Sequence, residues 1–289
     1  MSALRDTGWA KLNLSLEVLG RRTDGFHEIR SVVAFARLGD EVALEPGDGL
    51  GLEIEGPFAG ALGGDNLIVK AASLAAVRVP GLTLGRFRLR KLLPVAAGLG
   101  GGSADAAAAL RLIACANAGR LEEPLLAGLA QEIGSDVSVC LASRPALVTG
   151  RGEHVMLVGG FPACGVLLAN PRLPLATEAV YAALRAQAFT PPEHQQEEAI
   201  DFGGDFAALV DYARSRRNDL EGPAARLVPE IREVLASLLA LRAVRLARMS
   251  GSGPTCFSLL ATEDEATRAQ AELAAQHPNW WIAATALRS

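Results

Sequence analysis

The stretch of sequence that decides the fold is Pro94-Val95-Ala96-Ala97-Gly98-Leu99-Gly100-Gly101-Gly102-Ser103-Ala104. A strand-like segment at 83–91 precedes it, and an alanine-rich segment at 103–118, with high helix propensity, follows it. Glycines let the backbone approach an oxyanion closely, and the first turn of a helix directs unpaired N–H groups and its positive dipole end toward the same place. The pattern of strand, glycine-rich loop and helix therefore predicts a phosphate-binding loop.

This stretch differs from other familiar glycine-rich loops. A Rossmann fingerprint needs glycine at position 103, where the chain has serine, and a Walker A loop needs a Gly-Lys pair, which the sequence does not contain. The His-Arg-Asp triplet of protein kinases is also absent, and Asp105 stands where a hydrolase nucleophile elbow needs its second glycine. A glycine-rich turn that serves packing alone remains the alternative interpretation.

The segment 9–18 is the clearest strand in the sequence. Apolar residues at every second position alternate with Lys11, Asn13 and other residues on the opposite face. The alternation predicts one face in the core and the other with Lys11 and Asn13 side by side, ~7 Å apart at the rise of a strand. The segment Gly-Arg-Arg-Thr-Asp-Gly at 20–25 then predicts a turn.

Hydrophobic spacing and turn residues predict the remaining elements. Strands are expected at 31–38, 41–45, 50–55, 83–91, 164–169, 244–248, 255–260 and 280–287. Helices are expected at 65–79, 103–118, 124–133, 177–187 and 263–276, and around 206–213 and 231–238. Segment 187–204 is expected to be a surface loop. Strands and helices alternate without a strict βαβ order, so we predict an α+β fold in two domains, 1–155 and 156–289.

Composition excludes several classes of protein. The chain has 289 residues, 28 Lys and Arg against 32 Asp and Glu, and a net charge of −4, which argues against a nucleic-acid partner bound through bulk charge. The sequence shows no signal peptide and no apolar run long enough to span a membrane. Four cysteines lie far apart without a CxxC pair, so we expect small buried side chains, no zinc site and a cytoplasmic location.

Three motifs in order resemble the GHMP kinase superfamily, which includes galactokinase, homoserine kinase and mevalonate kinase. They are the N-terminal strand, the loop at 94–104 and a late glycine-rich loop at 249–254. The resemblance implies an N-terminal ribosomal protein S5 domain 2-like domain and a C-terminal ferredoxin-like α/β sandwich, with the active site in the cleft between them. It also implies ATP as co-substrate and Mg²⁺ as the metal.

One branch of this superfamily is similar in more detail. The segments carrying that similarity are 10–16, 20–27 and 134–137. The branch transfers the ATP γ-phosphoryl group to a hydroxyl of a polyol linked to cytidine diphosphate, in the non-mevalonate pathway to isoprenoids. The chain departs from the branch at Phe26, where tyrosine is common, and at Asp105, where relatives often carry asparagine or another residue.

The resemblance implies roles for particular residues. Lys11 and Asp136 are implied to be catalytic, with Asp136 accepting the proton of the acceptor hydroxyl. ATP is implied to bind residues 94–104 and the segment around Asn66. The substrate is implied to bind six residues: Asn13, Phe26, His27, Gly251, Ser252 and Gly253.

Each of these residues also has an ordinary structural interpretation. Lys11 could be solvent-exposed, Asp136 could be a helix N-cap or turn residue, and His27 could belong to a turn. Asn66 could only cap a helix, and residues 251–253 could form a plain hairpin. Ser103 either caps the alanine-rich helix or binds Mg²⁺. Arg86, Arg88 and Arg90 share one strand face and are typical of a solvated surface.

The alternatives at the level of function are another small-molecule GHMP kinase and a non-catalytic nucleotide-binding protein. The partners expected are therefore small molecules, namely ATP and a cytidine diphosphate-linked polyol, with no nucleic acid and no membrane. We expect a monomer or a weak homodimer.

Overall fold

The computed structural model describes residues 3–62, 64–191 and 199–288 as a mixed α/β protein. The strands are β1 (Leu4–Asn13), β2 (Glu17–Arg21), β3 (His27–Glu45), β4 (Leu50–Glu55), β5 (Gly85–Arg90), β6 (Ala146–Gly150), β7 (His154–Leu157), β8 (Gly165–Asn170), β9 (Leu246–Met249), β10 (Cys256–Leu260) and β11 (Trp281–Ala286). The helices are α1 (Leu67–Arg78), α2 (Gly101–Ala116), α3 (Glu123–Ile133), α4 (Ser135–Ala142), α5 (Thr177–Leu184), α6 (Phe206–Ser215), α7 (Glu221–Leu227), α8 (Glu230–Ala240) and α9 (Glu263–Gln276).

Two compact units can be distinguished by their internal contacts, and they are interleaved along the chain. The first unit holds the residues up to Lys11 together with Leu38–Val95 and Gly100–Ser143. The second holds Leu12–Arg37, Ala96–Leu99 and the residues from Arg144 onward. Strands β1 and β3 thus contribute residues to both units. The predicted division into 1–155 and 156–289 stays a prediction.

The first unit combines a sheet with a group of helices. Strand β5 pairs antiparallel with residues 41–45 of β3 and parallel with β4. Helix α1 begins at its N-cap Asn66, whose side chain accepts a hydrogen bond from the Ile68 amide at 2.8 Å. Helix α2 is buried from Ala104 to Leu110, because alanine side chains leave room for neighbouring elements on every side.

The second unit contains two groups of paired strands. Residues 29–33 of β3 pair with β6, which also pairs with β7, and the start of β3 forms a hairpin with β2. A four-stranded antiparallel sheet has the order β11-β8-β10-β9. All six residues of β8 are buried, which explains the continuous apolar run at 164–169. Side chains of α7, α8 and α9 belong to the same apolar core as those of β8 and β10.

The sequence predictions succeeded for most elements and failed at three places. Strand β1 begins five residues before the predicted Trp9, and the chain leaves it after Asn13. Strand β3 is continuous where two strands were predicted, and its Asp40 is fully buried. Strands β2, β6 and β7 and helices α4 and α7 were not predicted, since short elements carry too little periodicity to stand out.

Burial tests the expectations made for the polar face of β1, for the cysteines and for the arginines of β5. Lys11 and Asn13 were expected on a polar strand face, but both are buried, so β1 is covered on both faces there. Cys140, Cys164 and Cys256 are buried as expected, whereas Cys115 is exposed. The arginine face of β5 is solvated as expected, since Arg86, Arg88 and Arg90 form ion pairs with Glu53, Glu45 and Glu41.

Candidate active site

The loop at 94–104 leads directly into the N-terminus of α2. The N-cap is Gly100, which has φ +64° and provides no side chain to pair with the first-turn amides of the helix. Those amides can therefore donate to an anion, as the sequence predicts. Ser103 is the third residue of α2, so the interpretation of Ser103 as the helix cap is wrong.

The side chain of Lys11 lies against this loop. A Cβ atom built on Gly100 would stand 3.1 Å from Lys11 Cε, so glycine at this position lets the lysine stem pass close to the backbone. The Lys11 side chain is 6% exposed, and its Nζ donates to Asp136 Oδ1 at 3.0 Å. Lys11 is thus buried and ion-paired, and the solvent-exposed alternative is wrong.

The position of Asp136 is set by the junction between α3 and α4. Gly134 serves as the C-cap of α3 and the N-cap of α4, and Asp136 is the second residue of α4. A carboxylate in the first turn is stabilised by the helix dipole and also by the Lys11 ammonium. Its side chain is 43% exposed, so it is accessible to a ligand. The N-cap interpretation of Asp136 is wrong, because Gly134 occupies that position.

The segment around Asn66 lies next to the same loop. Asn66 caps α1, as one interpretation expected, and the following Leu67 is close to Gly102. A Cβ on Gly102 would lie 3.6 Å from Leu67 Cδ1, which is ordinary contact distance. The end of the loop therefore lies next to Lys11, which pairs with Asp136, and next to Leu67, the residue after Asn66.

Another group of predicted residues surrounds Asn13. Its Nδ2 donates to Ser31 Oγ at 2.8 Å, and its backbone amide donates to Ser250 Oγ at 3.3 Å. Ser250 Oγ in turn donates to the Gly98 carbonyl at 2.9 Å. The hydroxyl of Ser250, which the sequence did not single out, thus links Asn13 to the middle of the glycine-rich loop.

The surroundings of Gly98 leave no room for a side chain at this position. It has φ +72°, and a Cβ there would stand 2.3 Å from the Ser250 carbonyl oxygen and 2.8 Å from the Gly253 nitrogen. The nearby Thr255 amide donates to the Ala97 carbonyl at 3.3 Å. At Gly98 the glycine is therefore required by packing against residues 250–253, as the structural alternative expected.

Residues 251–253 form the turn of a hairpin, as the structural alternative expected. Strands β9 and β10 pair antiparallel, with Met249 opposite Cys256. Buried Asn218 holds the turn, because its Nδ2 donates at 2.8 Å to the carbonyls of both Met249 and Gly251. Ser252 Oγ is 2.8 Å from Thr177 Oγ1. Asn218 was missed, although it stands in the polar segment Arg-Arg-Asn-Asp at 216–219.

Phe26 and His27 follow the turn between β2 and β3. Phe26 is 51% exposed, and the Arg151 guanidinium carbon lies 4.9 Å from the centroid of its ring. The His27 and Tyr181 rings are tilted, with centroids 4.7 Å apart. Burial, followed by nearby Arg21, lowers the pKa of His27, so its imidazole is neutral at pH 7 and keeps one donor and one acceptor. An exposed aromatic ring beside such an imidazole suits a planar heterocycle.

The structure gives Asp105 a role that the sequence did not suggest, namely a contact with a buried lysine. Its Oδ2 accepts from Lys91 Nζ at 2.7 Å, and Lys91 also donates to Asp40 Oδ2 at 2.6 Å. Burial raises the pKa of the Asp105 carboxyl to about 7, although the Lys91 ammonium lowers it. Lys91 was missed, but the sequence contains a signal for it. Side chains alternate between the two faces of a strand, so if Arg86, Arg88 and Arg90 face solvent, the adjacent Lys91 is expected to face the core.

Across residues 3–62, 64–191 and 199–288, no group of three or more His, Cys, Asp or Glu side chains is arranged to hold a metal ion. Mg²⁺ often takes only one or two protein ligands and is otherwise bound by substrate phosphates and water, so this finding is compatible with a nucleotide-bound ion. No helix in the described part of the chain is long and apolar enough to cross a membrane.

Comparisons with known proteins agree with this geometry. Residues 66–144 match the GHMP kinases N terminal domain, and residues 195–279 match the GHMP kinases C terminal family. A 4-diphosphocytidyl-2-C-methyl-D-erythritol kinase from Bradyrhizobium is 46% identical, covering 98% of this chain and 96% of that protein. A crystal structure of 4-(cytidine 5'-diphospho)-2C-methyl-D-erythritol kinase is 35% identical, with TM-score 0.76, covering 99% of this chain and 100% of its own. Homoserine kinase from Cytophaga hutchinsonii has the same fold, with TM-score 0.69 at 17% identity, covering 99% and 95% of the two chains.

The fold and the loop geometry thus define a kinase of the GHMP class, and the predicted fold class is confirmed. Within that class, the chain belongs to the family of the 4-diphosphocytidyl-2-C-methyl-D-erythritol kinases. As a kinase of this family, it uses ATP as co-substrate.

Proposed function

We propose that this protein transfers the γ-phosphoryl group of ATP to the 2-hydroxyl of 4-diphosphocytidyl-2-C-methyl-D-erythritol, in the non-mevalonate pathway to isoprenoid precursors. The observation that carries the proposal is the arrangement of Lys11, which packs against Gly100 of the phosphate loop and pairs with Asp136 at 3.0 Å. A protein that only binds nucleotide has no use for an accessible carboxylate and a buried ammonium beside that loop.

The reaction divides into a few steps that these residues can perform. The N–H groups at the start of α2 bind the ATP phosphates and stabilise the charge that develops on the transferred group. Asp136 accepts the proton of the 2-hydroxyl as its oxygen forms a bond to the γ-phosphorus, and the bond from that phosphorus to the β,γ-bridging oxygen breaks to release ADP. Lys11 holds the Asp136 carboxylate in place through their 3.0 Å contact and offers positive charge to the acceptor oxygen.

Recognition of the cytidine end rests on the residues around the β2–β3 turn. Phe26 offers an exposed ring on which cytosine can stack, and neutral His27 can donate to or accept from the edge of the base. Phenylalanine at position 26 provides the stacking surface without the hydroxyl of a tyrosine. We also assign Asn13, Gly251, Ser252 and Gly253 to the substrate site. The Asn13 side chain and the amides of Gly251 and Ser252 would contact the substrate, whereas the Gly253 amide donates to the Ser250 carbonyl and shapes the turn.

Mg²⁺ is part of the proposal as the ion that neutralises the ATP phosphates when bound. The Ser103 hydroxyl fits this role, because Ser103 lies within the first turn of α2 and is not the helix cap. A monomer or weak homodimer and a cytoplasmic location remain our expectations for the working enzyme.

The test is ADP release from Mg-ATP with 4-diphosphocytidyl-2-C-methyl-D-erythritol as acceptor, compared with homoserine, mevalonate and galactose. We expect turnover with the cytidyl acceptor alone. Turnover with a different acceptor would overturn the roles given to Phe26 and His27. Binding of ATP without turnover on any acceptor would instead support a non-catalytic nucleotide-binding protein.

A further inference from the structure

A buried cluster of charges lies directly beneath the start of α2. It consists of Asp40, Lys91 and Asp105, and we refer to it as the Asp40–Lys91–Asp105 cluster. The Lys91 side chain is 2% exposed and donates to one carboxylate oxygen of each aspartate, at 2.6 and 2.7 Å. None of the steps described above uses these groups.

The cluster contacts the chain on both sides of the phosphate loop. Before the loop, Asp40 Oδ1 accepts hydrogen bonds from the amides of Leu92 and Leu93, at 2.6 and 2.9 Å. After the loop, Asp105 is the fifth residue of α2. The Lys91 ammonium therefore joins the segment that leads into the loop to the helix that leads out of it.

The cluster also packs against the loop backbone. A Cβ on Gly101 would stand 3.1 Å from Lys91 Nζ and 3.5 Å from Asp40 Oδ2, so the charged groups lie just below the first residue of α2. On its other side, Asp105 Oδ1 is buried close to Gly8, where a Cβ would stand 2.6 Å away. Within the described part of the chain, this Oδ1 has no hydrogen-bond partner.

A stability role alone explains this arrangement poorly. Burying charged groups carries a large desolvation cost, and apolar side chains of similar volume often stabilise a protein as well or better. Charge-assisted hydrogen bonds do, however, fix geometry in a way that apolar contacts do not. The amides that bind phosphate must be held within a fraction of an ångström, because small misplacements have large effects on rate.

We infer that the Asp40–Lys91–Asp105 cluster is a positioning device, which fixes the two ends of the loop at 94–104 so that its amides are preorganised for the ATP phosphates. Asp40, Lys91 and Asp105 act through the backbone and do not touch the nucleotide. The inference rests on the proposed function only in that the loop binds ATP.

The principal test compares Asp105→Ala with Asp105→Asn. The alanine variant removes the tie between Lys91 and α2, so we expect affinity for a non-hydrolysable ATP analogue and kcat/KM for ATP to fall about tenfold or more. The asparagine amide oxygen can still accept from Lys91, so its loss of affinity should be several times smaller. KM for the acceptor should stay within about twofold in both variants, since the acceptor residues are elsewhere.

Hydrogen exchange separates positioning from general stability. In Asp105→Ala we expect faster exchange confined to the amides of 92–104, because only the loop ends lose their tie. Uniformly faster exchange across 64–143, or a lower melting temperature with unchanged ATP affinity, would overturn the inference. If Asp105→Ala does not fold, the same comparison of affinity and exchange is made on Asp105→Asn, where unchanged values would equally overturn it.

The matched control is Asp6→Asn, which weakens another ion pair of the same unit, between Asp6 and Arg111 at 2.7 Å. We expect a lower melting temperature with unchanged affinity for the ATP analogue. Because binding is measured without acceptor, the inference can be judged separately from the proposed reaction. A wild type that binds the analogue but phosphorylates no acceptor would overturn the proposed function and leave this inference standing.

Discussion

The ammonium of Lys11 lies 3.0 Å from Oδ1 of Asp136, a residue 125 positions further along the chain. The lysine is buried and the aspartate is almost half exposed, so the charge that stabilises the carboxylate is shielded from solvent while the carboxylate can be reached by a ligand. This unequal burial distinguishes the Lys11–Asp136 pair, which we propose to be catalytic, from an ordinary surface ion pair, which contributes little to stability.

Removing the charge of Asp136 tests its role as the base. We expect Asp136→Asn to lower kcat about 10²–10⁴-fold, because the amide cannot accept the hydroxyl proton. Glu132→Gln is the matched control, since Glu132 is similarly exposed and ion-paired to Arg78, and it should behave as the wild type. Steady-state kinetics with both variants provide the measurement, and more than about a tenth of wild-type kcat in Asp136→Asn would count against the assignment.

The contribution of Lys11 to kcat should depend on the charge of its side chain rather than on its size. In Lys11→Met the apolar stem can still pack on Gly100, but the positive charge beside the loop and Asp136 is lost, so we expect kcat to fall about 10²-fold or more. Lys11→Arg should not restore activity, because a planar guanidinium does not fit the space of an ammonium.

Lys70→Met provides the control for loss of a lysine charge, since Lys70 Nζ donates to the backbone carbonyl of Ile133 at 2.9 Å. We expect unchanged kcat in that variant. A Lys11→Met enzyme with wild-type kcat would show that Lys11 serves packing alone.

Stacking of the acceptor on Phe26 predicts an effect on binding. Phe26→Ala should raise KM for the cytidyl acceptor by about 5- to 150-fold, the equivalent of ~1–3 kcal/mol for one stacked base, with little change in kcat. Phe26→Tyr keeps the ring and should keep KM close to the wild-type value. The idea fails if kcat falls in Phe26→Ala while KM for the acceptor does not move.

The close approach of Gly98 to Ser250 predicts intolerance of any side chain. Gly98→Ala would place a Cβ 2.3 Å from the Ser250 carbonyl oxygen on a backbone with φ +72°, so the loop must shift. We expect a loss of stability of about 1–3 kcal/mol and a higher KM for ATP. Urea unfolding and kinetics measure the two effects.

Gly128→Ala is the control for Gly98→Ala. Gly128 lies within α3, and a Cβ there would meet no atom within 4 Å. The substitution should therefore stabilise the protein by about 0.5–1 kcal/mol, because alanine favours the helix, and should leave KM for ATP unchanged. Equal behaviour of the two variants would contradict the special constraint at Gly98.

Much of the site was predictable from the sequence because its signals are local. The glycine loop, the alanine-rich helix after it and the Asn66 cap are each encoded by a short local stretch of sequence. Helix α9 and strand β4 were predicted with the observed bounds, since each has a clear period and clear ends. The resemblance of three short motifs then predicted the family, and the comparisons confirmed it.

The sequence predictions that were wrong concern properties that depend on burial and on residues distant in the sequence. The alternating pattern at 9–18 correctly indicated a strand but suggested an exposed face for Lys11 and Asn13, because a period of two does not show whether the second face is covered. Ser103 has the type of side chain that caps helices, yet the helix begins two residues earlier, where Gly100 can adopt a positive φ.

The sequence by itself determined the class of fold, the glycine-rich loop between strand and helix, and the residue types available for catalysis and recognition. Only the tertiary structure decided that Lys11 meets Asp136, that Ser250 and Asn218 hold the loops around Gly98 and Gly251, and that Lys91 joins Asp40 to Asp105. The physical reason is that propensity and periodicity act over a few residues, whereas these contacts depend on how the whole chain packs. A buried charge is stable only beside its partner, and that partner is found by the fold rather than by the neighbouring sequence.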